Sequence, residues 1–239
     1  MRRALIVVLL IAVAAPLMLA MSQLPPHGSP ETPPYTHVSP YYLEHGAEEG
    51  GAENIVTSVI LNYRGFDTQH EVTVIFTAMA AVLAVLLLAG SEPTDAEDAP
   101  GESPVPVSVV VRFIVRVLAP FIALFSAYVV LNGHITPGGG FQGGTIAGAL
   151  VIALSLVMSR EEADALLPRK PEHLLQAAAP IAFFLTGVAG LALFGDYLFF
   201  PRDEAFRWAA VLMLTVIEVG IGVGGASVLV RIFRAMRAD

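Results

Sequence analysis

Six long apolar stretches alternate with shorter polar ones, at residues 4–21, 72–89, 107–131, 145–158, 177–194 and 208–230. Most approach the ~20 residues that an α-helix needs to cross hydrocarbon. The fourth is short, unless its helix begins inside the preceding glycine-rich run at Phe141. Backbone in lipid must satisfy its own hydrogen bonds, so helices are expected over strands. The pattern predicts an all-α integral membrane protein with about six transmembrane helices.

The flanks set an orientation. Arg2 and Arg3 precede the first stretch, as in a secretory signal. That stretch exceeds the ~7–15 residues of a signal core, so a retained anchor helix is expected. With six crossings and a cytoplasmic N-terminus, ten of the 13 Lys and Arg residues fall on inside flanks. Arg112, Arg116, Arg160, Arg169 and Lys170 are among them, whereas Arg64, Arg202 and Arg207 fall outside. The positive-inside rule then places both termini in the cytoplasm of a multi-pass cell (inner) membrane protein.

Composition sharpens this. The chain has 239 residues, 55% of them hydrophobic and 14% charged, with a mean hydropathy of +0.69. These values lie far from soluble proteins. The absence of cysteine excludes disulfides, thiolate catalysis and iron–sulfur clusters. A net charge of −8 without a basic stripe argues against nucleic acid.

Two segments read as linkers. Residues 23–51 are rich in Pro, Gly and Glu, and an irregular outer loop is expected there. Residues 91–106 (SEPTDAEDAPGESPVP) are acidic and read as a cytoplasmic fusion joint. The expected organisation is a two-helix part at 1–90, the linker at 91–106 and a four-helix part at 107–239. Within the first part, Ile55, Val56, Val59, Ile60 and Tyr63 follow helical spacing. They predict an amphipathic helix ending near Gly65, either lying along the outer face or packed on the bundle.

Few residues are suited to chemistry. Glu218 lies midway along the last apolar stretch, followed by Gly220, Gly222, Gly224 and Gly225. A carboxylate at that depth costs a few kcal/mol and must be protonated, paired or hydrated. The glycines thin one side of the helix, which permits close packing or a water path. Glu71 stands at the expected outer start of the second helix, after Asp67 and His70. It reads either as an N-terminal cap or as a group at the mouth of an ion path. Arg64 and Asp67 are spaced to pair locally. Arg112 and Arg116 read as interfacial anchors, or as partners for acidic groups of a neighbouring chain. The run GHITPGGGFQGG at 133–144 holds His134 among Gly133, Pro137, Gly138, Gly139, Gly140, Gly143 and Gly144. No ligand set at metal spacing accompanies His134, so no metal and no cofactor are expected. Nucleotide-loop and nucleophile-elbow motifs are absent.

The stretch from Arg112 to Leu156, above all GHITPGGGFQGG, resembles the MnhB/MrpB subunit of multisubunit Mrp-type cation/proton antiporters. It is equally similar to the related subunit of membrane-bound hydrogenase-type complexes. The likeness extends to Glu218-Val219-Gly220. Asn54-Ile55-Val56, Arg64-Gly65-Phe66-Asp67-Thr68 and Glu71-Val72-Thr73-Val74 are similar to the C-terminal end of the large MrpA protein. Hydrogenase-type complexes carry that piece as a separate small protein, MbhE. The large antiporter-like helix array is not in this chain. The resemblance therefore implies an accessory membrane subunit, packed in the bilayer against antiporter-like and small Mrp subunits. Its ions would be sodium and protons, with Glu218, Glu71, His134 and Asp67 as candidates for their path. Two other readings are a small stand-alone transporter and a purely structural bridging subunit. The glycine loop is expected to let the third and fourth helices turn and pack closely.

Overall fold

A computed structural model describes residues 2–88, 107–159, 162 and 172–237. The acidic linker at 91–106 and the basic residues Arg160, Arg169 and Lys170 lie outside the described residues. Every regular element among those described is helical. The chain divides into two compact units, Met1–Glu44 and His45–Asp239.

The first unit is built on α1 (Arg2–Ser22), which carries Pro16 inside it. From Ala4 to Met21 its side chains are apolar all round and exposed, as expected for a helix solvated by lipid. Residues 23–51, expected to be irregular, are helical in part. A π-helical turn at Pro34–Val38 runs into α2 (Ser39–Glu49), which ends within the second unit. Proline at the start of that turn supplies a helical φ and lacks only an N–H that would have been orphaned.

The second unit begins with α3 (Ile55–Thr57), which continues as a π-helical turn at Ser58–Tyr63. This segment corrects the expected amphipathic face. Its deepest residues are Thr57, Ser58 and Leu61, whereas Val56 is exposed. The segment packs on α4 (Gly65–Leu88). That helix starts well before the expected residue 72. Hydropathy set the start too late, because polar side chains there are reconciled with the helix. The Thr68 hydroxyl donates to Ile60 O at 2.6 Å and that of Thr73 to Gln69 O at 2.8 Å.

The remaining elements are α5 (Val109–Leu131), α6 (Gly140–Val157), α7 (Glu172–Gln176), α8 (Ala178–Phe194) and α9 (Arg207–Arg237). Ser108 caps α5 by accepting from Val111 N at 3.3 Å. Five helices are long and apolar enough to cross a membrane, namely α1, α4, α5, α6 and α9. Helix α8 is also apolar, and its 17 residues reach the lower limit of ~17 for a span.

Helix α9 is the axis of this unit and packs on α6, α8 and α4. Small residues set these contacts. A β-carbon added at Gly144 would stand 2.6 Å from Gly222 O, and one at Gly148 would stand 3.3 Å from Ala226 Cα. On another side of α9, one at Gly224 would stand 3.0 Å from Ala179 Cβ. Backbones thus approach closely on two faces, as lipid-embedded helices require when no hydrophobic force drives them together. The core joins Leu61 and Val72 to Phe183, Leu198, Leu214 and Ile217.

Candidate functional site

Between Arg207 and Arg231, the only charged residue of α9 is Glu218. Its side chain is 2% exposed, and its Oε2 has no hydrogen-bond partner. No ion pair reaches it among the described residues. Its wall comes from two distant parts of the chain.

One wall is the glycine-rich run. The structure corrects its extent as a loop. Gly140, Gly143 and Gly144 belong to α6, so the turn is confined to residues 132–139. Gly138 and Gly139 have φ of 151° and 131°, a region that only glycine adopts without strain. A β-carbon at Gly133 would stand 2.5 Å from Glu218 Oε1, and one at Gly139 would stand 3.7 Å from the same oxygen. The turn is tied to α5 by Gly139 N donating to Val129 O at 3.2 Å. Ser126 Oγ ties α5 to α6 by donating to Gly143 O at 2.8 Å.

The other wall is α3. Asn54, its N-cap, accepts from Val56 N at 3.1 Å and holds the turn with its remaining groups. Asn54 Nδ2 donates to Gly133 O at 2.8 Å and to Thr136 O at 2.9 Å, and Asn54 N donates to His134 O at 3.1 Å. Thr57 Oγ1 donates to the same Gly133 O at 2.7 Å. The Thr57 hydroxyl also lies within reach of the Glu218 carboxyl. It has a single proton, already given to Gly133 O, so toward Glu218 it offers lone pairs.

The predicted residues therefore separate. Glu218, Gly133, Gly139 and Gly140 come together, with His134 in the same turn. His134 is bound through its carbonyl, and its buried Nδ1 has no partner. Asp67 and Glu71 do not join the cluster. Asp67 is exposed and bonded to Arg64 at 2.6 Å, the expected local pair. Glu71 is exposed and lies beyond the first turn of α4, which removes the capping reading. Arg116 meets Glu162 of its own chain at 2.8 Å. The Ser159 N–H, followed by the Arg116 charge, holds the Glu162 carboxyl below its usual range. Asn54 and Thr57, which hold the turn beside Glu218, and the buried Gln176 were not among the candidate residues. Each is a polar residue beside or within an apolar stretch, and that was the available signal.

The fold and site define a multi-pass helical membrane protein with a buried carboxyl in its longest helix. The chain belongs to the family described as a domain related to the MnhB subunit of Na+/H+ antiporter, whose model matches residues 110–229. A second family model, MbhE of the MBH complex, matches residues 1–96. The chain is 30% identical over 125 residues to a probable K(+)/H(+) antiporter A/B protein of Rhizobium meliloti (strain 1021), covering 45% of this chain and 12% of that protein. It is 34% identical over 83 residues to the B protein of the Na(+)/H(+) antiporter of Bacillus subtilis (strain 168), covering 35% of this chain and 57% of that protein. Among solved structures it is similar to a chain of the membrane-bound sulfane sulfur reductase, an archaeal respiratory membrane complex. The TM-score there is 0.69 at 30% identity, over 98% of this chain and 97% of that one. A chain of the Mrp complex from Dietzia sp. DQ12-45-1b gives 0.67 at 25% identity, over 99% of this chain and 26% of that one.

Proposed function

We propose that this chain is an accessory membrane subunit of a multisubunit sodium (cation)/proton translocating complex, with Glu218 as the protonatable group it adds to the path. The observation that carries this is Glu218 itself. A fully buried carboxyl with one oxygen unpartnered, and no counter-charge paired to it among the described residues, is costly as a bare anion. It is accommodated when it holds a proton, which it can donate to the Thr57 oxygen, or when a cation stands in for that proton. Asp67 and Glu71, exposed on the first turns of α4, form the acidic approach. Both termini face the cytoplasm of the cell membrane, and the Gly133 turn faces outward. Its partners are antiporter-like and small Mrp-type subunits. The match to nearly all of one reductase-complex chain, against a quarter of the Mrp chain, supports a setting in which the joined chain stands as its own component of a redox-driven complex.

The test replaces Glu218 with Gln in the assembled complex and measures sodium-dependent proton exchange in vesicles. Lost exchange with intact assembly on a native gel supports the reading, and unchanged exchange removes Glu218 from the path. A bridging role without ion-carrying groups is favoured by one observation, the fit of Gly133 against Glu218. Under that reading Glu218→Gln breaks assembly before exchange.

A further inference from the structure

Gln176, the last residue of α7, is a polar side chain that the proposed path has not used. It is 4% exposed, and its Nε2 has no hydrogen-bond partner. Leaving such a donor unmet in an apolar interior costs ~1–3 kcal/mol. The side chain lines a cavity of about 10 Å³ between α4, α6, α8 and α9, shared with Val72, Phe76, Phe141, Gly224 and Gly225. That volume stands at the threshold for one water molecule. The lining contains no charged side chain.

The cavity stands in register with Glu218. Gly225 follows it by seven residues, which on an α-helix is nearly the same face and ~10 Å along the axis. A β-carbon added at Gly225 would meet nothing within 4 Å. The same face that is tightly packed at Gly222 is therefore open at Gly225, toward the basic end of α9. With no side chain at Gly225 to cover the backbone, a helix carbonyl there can offer its second lone pair to a water.

We propose that Gln176 holds a water molecule in the gap beside Gly225, and that this water is the polar stepping stone for protons between Glu218 and the basic end of α9. The amide donates through Nε2 and the helix carbonyl accepts. The water binds a proton arriving from the Glu218 side and releases a different one to solvent at the basic end of α9, and the amide keeps its own. The stepping-stone role rests on the reading of Glu218 given above, whereas the water site does not.

Two measurements on the assembled complex separate them. X-ray hydroxyl-radical footprinting labels rings beside bound water. Phe141 should be labelled above Phe183, a fully buried core ring, and Gln176→Leu should bring it down to the Phe183 level. In vesicles, Gln176→Leu and Gly225→Leu should each lower proton exchange about tenfold, equivalent to ~1.4 kcal/mol. Assembly of Gln176→Leu should be intact, because the orphaned donor is removed with no acceptor stranded. Phe141 labelled no more than Phe183 in the unaltered complex overturns the water site. Labelling that depends on Gln176 while exchange is unchanged in Gln176→Leu overturns the stepping stone. If Glu218→Gln leaves exchange intact, the reading of Glu218 and the stepping stone fall together, and the labelling still decides the water.

Discussion

The Glu218 carboxyl occupies the space that a side chain at Gly133 would need. An added β-carbon there would stand 2.5 Å from Oε1 and 2.7 Å from Cδ. Gly133→Ala should therefore destabilise the fold by ~1–3 kcal/mol, as overpacking does. In a Glu218→Ala background the same change should cost under ~1 kcal/mol, because the two groups compete for one volume. Thermal stability of the four complexes in the double-mutant cycle measures the coupling. Additive costs would contradict the geometry.

Asn54 spends both ends of its amide on this site. Asn54→Ala removes two donated bonds and the cap of α3, at ~1 kcal/mol for each. Asn54→Asp should be worse than Ala. It keeps a capping oxygen but sets a second one against the Gly133 and Thr136 carbonyls. Urea or thermal unfolding of the two variants checks the order.

The Thr57 hydroxyl separates stability from transport. Thr57→Val should cost only ~1 kcal/mol, since Gly133 O keeps its bond from Asn54. Exchange should nonetheless fall, because a protonated Glu218 loses its acceptor, and Thr57→Ser should restore it. Equal exchange in the Val and Ser variants would leave Thr57 a purely structural residue.

Two glycines on neighbouring faces should respond in opposite ways. Gly144→Leu pushes α6 away from the Gly222 backbone and should abolish assembly. Gly225→Ala meets nothing within 4 Å and should stabilise α9 by up to ~1 kcal/mol through helix propensity. Native gels and melting curves decide both.

Glu162 supplies a pH dependence. Its carboxyl is held below the usual value in the folded chain. Its contribution is therefore present above the unfolded value of ~4.3 and is lost as pH falls through the lowered folded value. Arg116→Ala should lower the melting temperature slightly at neutral pH, with the gap closing below about pH 4. The pair is exposed and salt-screened, so the gap should also shrink in high salt.

The apolar stretches made the helices legible, because lipid leaves the backbone no alternative. They set the start of α4 too late, and for α6 the alternative start inside the glycine run, at Phe141, is the one the structure bears out to within a residue. Hydropathy does not register a helix whose polar first turns bond internally, as at Thr68, or whose first turns are glycines packed on Gly222. Glu218 was legible as a lone charge in an apolar run. Its surroundings were not, because Asn54 and Thr57 bond to Gly133, which walls it, across 79 and 76 residues of chain. Periodicity reports which face of a helix is apolar, not which polar residue of another segment will be buried against it. Gln176 was lost for the same reason, as a polar flank next to an apolar span.

The bonds from Asn54 and Thr57 to Gly133 join the stretch matched by the MbhE model to the stretch matched by the MnhB-related model, without passing through residues 89–106. The peptide connection then acts chiefly on effective concentration, keeping one copy of each piece beside the other. Produced as two polypeptides at a one-to-one ratio, the pieces should find the same seam, and fusion becomes a matter of dosage rather than architecture.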